Sequence, residues 1–115
     1  MKVTIYHNPR CGKSRETLAL LREQGIEPVI VDYLNVPPDA AALKKLLAAL
    51  QLKPRQLLRT KEKIYKSLGL DNPTLSDAGL IKAMVEHPLL IERPIVVAGG
   101  KAVLGRPPEN VLDII

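Results

Sequence analysis

The stretch Val3-Thr4-Ile5-Tyr6-His7-Asn8-Pro9-Arg10-Cys11-Gly12-Lys13-Ser14-Arg15-Glu16-Thr17-Leu18 switches from one hydrophobic pattern to another within a few residues, and that switch decides the fold. Val3 to Tyr6 is a β-type run. Pro9 removes a backbone donor and biases Asn8 toward extended geometry, so the strand stops at His7-Asn8-Pro9. From Ser14 the pattern becomes helical: Leu18 and Leu21 share one face, charges occupy the other, and Gly25 stands where a C-terminal cap belongs. The helix N-terminus then points at Cys11. Val29-Ile30-Val31, followed by Asp32 and Tyr33, is a second β-branched run, and its continuous apolar character predicts a strand buried on both faces. The first third of the chain reads as a βαβ unit.

Downstream, Pro37-Pro38-Asp39 opens a helix with Leu43, Leu46, Leu47 and Leu50 at helical spacing and Lys44 and Lys45 opposite. Shorter helices are expected from Pro54 to about Arg59, from Glu62 to Leu68 with Gly69 as cap, and from Ser76-Asp77 through Glu86, ended by Pro88. Ile95-Val96-Val97-Ala98, Gly99-Gly100 and Lys101-Ala102-Val103-Leu104 read as two strands joined by a two-residue hairpin turn. Pro107-Pro108-Glu109 opens a last short helix over Asn110 to Ile115. This order is that of an α/β thioredoxin/glutaredoxin-like fold, a parallel βαβ half meeting an antiparallel hairpin in one mixed sheet. One domain over residues 1–115 is expected, with a helical insertion at approximately 37–90.

Composition narrows the function. The 115 residues are 46% hydrophobic, enough for a core without a disulfide or metal staple. Three Tyr with no Phe or Trp make that core aliphatic and leave little on which to stack nucleobases, so nucleic-acid binding is disfavoured. Seventeen Lys and Arg against twelve Asp and Glu give a net charge of +5, which by itself suits an anionic ligand, a nucleic acid or an acidic membrane surface equally. The N-terminus turns polar too early for a signal peptide, and no apolar run is long enough to span a bilayer, so no membrane association and a cytoplasmic location are expected. The single cysteine excludes an internal disulfide and a thiolate-based zinc site, and suggests a reducing compartment. Any redox chemistry must borrow a second thiol.

Cys11 falls between a strand and a helix N-terminus, where unpaired backbone N–H groups and the helix dipole favour anions. Arg10, Lys13 and Arg15 surround it in sequence and His7 precedes it, so its thiol is expected to ionise more readily than an ordinary cysteine. Such a loop could also bind a tetrahedral oxyanion without reacting, or house an inert buried cysteine. A thiolate beside an oxyanion cradle is suited to nucleophilic attack on the central atom. Ester hydrolysis with His7 or an Asp as general acid therefore remains an alternative on chemistry alone.

Tyr6-His7-Asn8-Pro9-Arg10-Cys11-Gly12-Lys13-Ser14-Arg15 resembles the active-site loop of the glutaredoxin-linked arsenate reductases. Leu57-Leu58-Arg59, Ile91-Glu92-Arg93-Pro94-Ile95-Val96-Val97 and Gly105-Arg106-Pro107-Pro108-Glu109 resemble that family's later motifs in order and approximate spacing. The resemblance implies Cys11 as the nucleophile toward arsenate and Arg59, Arg93 and Arg106 as the oxyanion cradle. Glutathione as co-substrate and glutaredoxin as partner would complete reduction to arsenite, with no bound cofactor and no metal. His7 matches a family histidine whose imidazolium would help hold the thiolate, a loop-structuring role being the alternative. Asn8, Lys13, Ser14 and Arg15 would support the loop or touch the anion or glutathione. Arg93-Pro94 occupies the place where thioredoxin-type folds usually set a cis proline before the next strand. Two other readings stay open: a thiol-dependent reductase of another substrate, and a regulator that docks on RNA polymerase. The second is weakened because Ser14 stands where such regulators carry the other cysteine of a Cys-x-x-Cys switch.

Overall fold

Strand β1 (Val3–Tyr6) pairs in parallel with β2 (Val29–Val31) and antiparallel with β3 (Ile95–Ala98), which pairs antiparallel with β4 (Lys101–Leu104). The computed structural model, which describes residues 2–115, thus holds one mixed sheet of order β2-β1-β3-β4. Thr4 faces Val29 on one side and Val97 on the other, and Ile5 faces Ile30 and Val96. This is the expected mixed sheet of a thioredoxin/glutaredoxin-like fold. The chain divides into two compact units, one running to Val36 and resuming at Arg93–Ile115, the other spanning Pro37–Glu92.

In the first unit, helix α1 (Gly12–Glu23) buries Leu18 and Leu21 with Val3, Ile5, Val96, Ala98 and Val111, an all-aliphatic core. Val111 comes from a 3-10 segment, Pro108–Asp113, packed on α1. The last helix expected over Asn110 to Ile115 is this tighter turn, which starts earlier because Pro108 is preset for a first helical position. The expectation for β2 is corrected: Val29 and Ile30 are 48% and 44% exposed rather than buried on both faces. β2 is an edge strand. A β-branched run satisfies edge and centre alike, and only the pairing order tells them apart.

Two glycine sites have steric reasons. Gly99 and Gly100, with φ of 57° and 80°, make the tight connection between β3 and β4 that requires positive φ at both central positions. Gly105 leaves β4 where a Cβ would lie 2.5 Å from Thr17 Oγ1 and 2.8 Å from Pro94 Cγ. Its N–H donates to Pro94 O at 2.9 Å, and buried Thr17, whose hydroxyl donates to Lys13 O at 2.7 Å, lies 3.3 Å from Gly105 O. Arg93-Pro94 is cis, as expected, and Arg106-Pro107 is cis as well.

The second unit contains α2 (Ala40–Leu50), α3 (Pro54–Leu57), α4 (Lys63–Ser67) and α5 (Asp77–Glu86). Asp39 caps α2 by accepting from Ala42 N–H at 2.8 Å, and Ser76 caps α5 by accepting from Gly79 N–H at 3.1 Å. Leu43, Leu46 and Leu47 of α2 and Leu80, Ile81 and Met84 of α5 are buried where the two helices pack. Leu58 forms an isolated antiparallel bridge with Ile91. Among the described residues no helix is long and apolar enough to cross a membrane.

Gly105→Ala should lower stability by about 1–3 kcal/mol, the usual scale of overpacking, because Thr17 and Pro94 are both held in place. Urea unfolding followed by circular dichroism measures this. A midpoint equal to wild type would show that the segment yields.

Candidate active site

Cys11 is the N-cap of α1, in extended conformation, and is partly exposed. Its N–H donates to Asn8 O at 3.0 Å and its carbonyl accepts from Arg15 N–H at 3.0 Å, so the loop enters the helix without a break. Asn8 is buried, and its side-chain Oδ1 accepts from Arg10 N–H at 3.0 Å, an Asx turn that fixes the residue before the cysteine. Arg15 Nη1 donates to Pro9 O at 2.9 Å, tying the first turn of the helix back to the loop.

The thiol titrates below its ordinary value. Burial opposes ionisation, but the Ser14 N–H, hydrogen bonding and charge from Arg93, and the Lys13 N–H together outweigh it. The side chain makes no capping hydrogen bond as a neutral thiol, so these groups act on the anion. Arg106 Nη1 reaches the sulfur at 4.0 Å and donates to Arg93 O at 3.2 Å. The cations that neighbour Cys11 in sequence are directed elsewhere: Arg15 to the Pro9 carbonyl, and the Lys13 ammonium toward Glu16 at 3.5 Å. A residue more than eighty positions away, brought in at the start of β3, supplies the charge that local sequence seemed to offer.

His7 and Ser14 are both buried, and His7 Nδ1 lies 2.6 Å from Ser14 Oγ, which also accepts from Asn8 N–H at 3.0 Å. Burial, with Arg22 and Arg15 nearby, pushes the imidazole below its usual range despite an opposing effect of Asp32. The ring is therefore neutral at pH 7, in place of the imidazolium anticipated from sequence, and the Ser14 hydroxyl donates to Nδ1. His7 fixes the residue whose N–H stabilises the thiolate.

Arg93 is 9% exposed. Arg59, in the second unit, is held by two carboxylates: Nε donates to Glu62 Oε1 at 3.1 Å and Nη1 to Glu92 Oε1 at 2.6 Å. Its N–H donates to Leu90 O at 2.8 Å, while Glu92 N–H donates to Leu57 O at 2.9 Å. Burial opposes its charge, and the pull of Glu92 and Glu62 overcomes that. Glu62, three residues after Arg59, was detectable as an ion-pair spacing. Glu92 had no such signal. No group of three or more His, Cys, Asp or Glu side chains suited to a metal occurs among the described residues.

The ArsC family model matches residues 6–114. The chain belongs to the ArsC family. Among its relatives, an arsenate reductase of Haemophilus influenzae is 54% identical, with all of both chains covered. The uncharacterized protein YfgD of Escherichia coli is 58% identical, covering 99% of this chain and 97% of its own. A solved structure described as arsenate reductase from Vibrio cholerae superimposes with a TM-score of 0.98 at 55% identity, covering 100% of this chain and 98% of that one. An ArsC-family fold thus accounts for nearly the whole length.

Because the depressed thiol pKa keeps Cys11 ionised as pH falls below the ordinary thiol range, iodoacetamide should alkylate it with a midpoint below that of free cysteine. Arg93→Gln should move the midpoint upward. A wild-type midpoint at the ordinary thiol value would disprove the activation.

Proposed function

We propose that this protein is an arsenate reductase in which Cys11 is the nucleophile. The observation that carries the reading is the convergence of the α1 N-terminus, Arg93 and Arg106 on one thiolate-forming sulfur. The relatives' printed names supply the substrate. An arsenate dianion attracted to the two guanidinium groups brings its arsenic to the sulfur, and Cys11 displaces a protonated oxygen as water. The donors then face the oxygens on which charge gathers. Arg59 is proposed as the third arginine of the cradle, and its Nη2 makes no hydrogen bond among the described residues. His7 is a positioning residue acting through Ser14, and Asn8, Lys13 and Arg15 shape the loop.

With one cysteine in the chain, the two electrons that take As(V) to As(III) come from Cys11 and one external thiol, which end as a mixed disulfide. Glutathione is the proposed thiol, and glutaredoxin the partner that frees Cys11 for another cycle. The same chemistry would serve a related oxyanion, and phosphate or sulfate should compete with arsenate.

Arsenite release measured with glutathione and glutaredoxin tests this. Cys11→Ser should abolish turnover while the melting temperature holds. Arg93→Lys, Arg59→Ala and Arg106→Ala should each reduce turnover roughly tenfold or more, the loss of charge-assisted hydrogen bonds of about 1.5–3 kcal/mol. Undiminished arsenate reduction by Cys11→Ser would refute the mechanism.

A further inference from the structure

Beside the cysteine loop, on the β2 side, lies a groove of about 380 Å³ lined by Asn8, Pro9, Arg10, Asp32, Leu34 and Asn35. Its volume falls within the range of small-ligand sites. Two loops build it: the residues leading into Cys11, and the turn after β2, where Asp32 O accepts from Asn35 N–H at 3.2 Å and Val36 N–H at 2.8 Å. The side chains offer one cation, one anion and an apolar contact. Arg10 is exposed and has no ion pair among the described residues, and Asp32 Oδ2 accepts from Asn35 Nδ2 at 2.6 Å while Oδ1 takes no hydrogen bond there. A second groove, along α1, is lined by Arg15, Leu18, Ala19, Arg22 and Glu23. Its cations are already engaged, Arg15 by the Pro9 carbonyl and Arg22 by Glu27.

We infer that the groove of Arg10 and Asp32 binds the glutathione that resolves Cys11, Asp32 receiving its ammonium and Arg10 one of its carboxylates. This rests on the reading of Cys11 as a nucleophile resolved by an external thiol. The sheet order supports the placement. β1 leads to Cys11, β3 begins beside Arg93 and β4 ends beside Arg106, while β2 leads to the groove on the opposite flank of β1. In the resolving step the glutathione thiolate attacks Cys11 Sγ in line with the S–As bond. An S–S bond forms, the S–As bond breaks, and its electron pair stays on arsenic, converting As(V) to As(III) and releasing arsenite. In-line displacement requires the incoming sulfur and the departing arsenic on opposite sides of Sγ. Arginines on one flank and a zwitterion-binding groove on the other meet that requirement.

The test needs no arsenate. Oxidised glutathione transfers one glutathione to the Cys11 thiolate and expels the other as its thiolate, and mass spectrometry follows the adduct; bis(2-hydroxyethyl) disulfide is the uncharged comparison. Wild type should react faster with oxidised glutathione relative to that disulfide than free cysteine does. Asp32→Asn and Arg10→Ala should each cut this preference by about tenfold, the scale of one charge-assisted hydrogen bond. An unchanged preference in both variants, or equal losses with both disulfides, would overturn the assignment. A preference that Asp32→Asn and Arg10→Ala remove, in a protein that releases no arsenite, would still support the groove as a glutathione site while defeating the arsenate reading.

Discussion

The close approach at Gly105 is the constraint on which the first unit turns. With no side chain there, the exit of β4 lies against Thr17 on α1 and against Pro94 at the start of β3. Arg93 and Arg106 are the chain neighbours of those two contact points, so backbone packing against the second turn of α1 sets where both guanidinium groups can reach. The sulfur waits one turn earlier, at the N-cap. A methyl group at this position would disturb the spacing between the helix and both arginine-bearing segments at once.

The electrostatics of Cys11 follow from that packing. An N-cap sulfur gains from the Ser14 and Lys13 amides without any charged neighbour, but burial acts against it, and Arg93 adds both a hydrogen bond and a charge. Neutral His7 contributes through geometry. By engaging the Ser14 hydroxyl inside the protein, it leaves the Ser14 amide directed along the helix axis toward the sulfur. The buried polar pair is satisfied on both sides, since Asn8 N–H donates to the same hydroxyl.

In the second unit a single guanidinium, Arg59, lies between Glu62 and Glu92. Two carboxylates around one partly buried arginine fix its plane at two nitrogens, and the backbone pairing of Leu57 with Glu92 and of Arg59 with Leu90 holds both partners in register. Orientation is thus set before any ligand arrives.

By itself the sequence determined the elements and the nucleophile. Period-two runs at Val3 to Tyr6 and Ile95 to Leu104, helical leucine spacing from Leu43 to Leu47, caps at Asp39 and Ser76, and paired glycines at Gly99-Gly100 are local signals, and local backbone energetics answers them. A lone cysteine before a helix is equally local. Tertiary structure alone decided that β2 lies at the edge, since a β-branched run carries no mark of how many neighbours it will have. It also decided which cations act on Cys11. Charges close in sequence were turned toward Pro9 and Glu16, while Arg93 arrived from the far end of the chain, because electrostatic influence depends on distance in space and on burial rather than on separation along the chain.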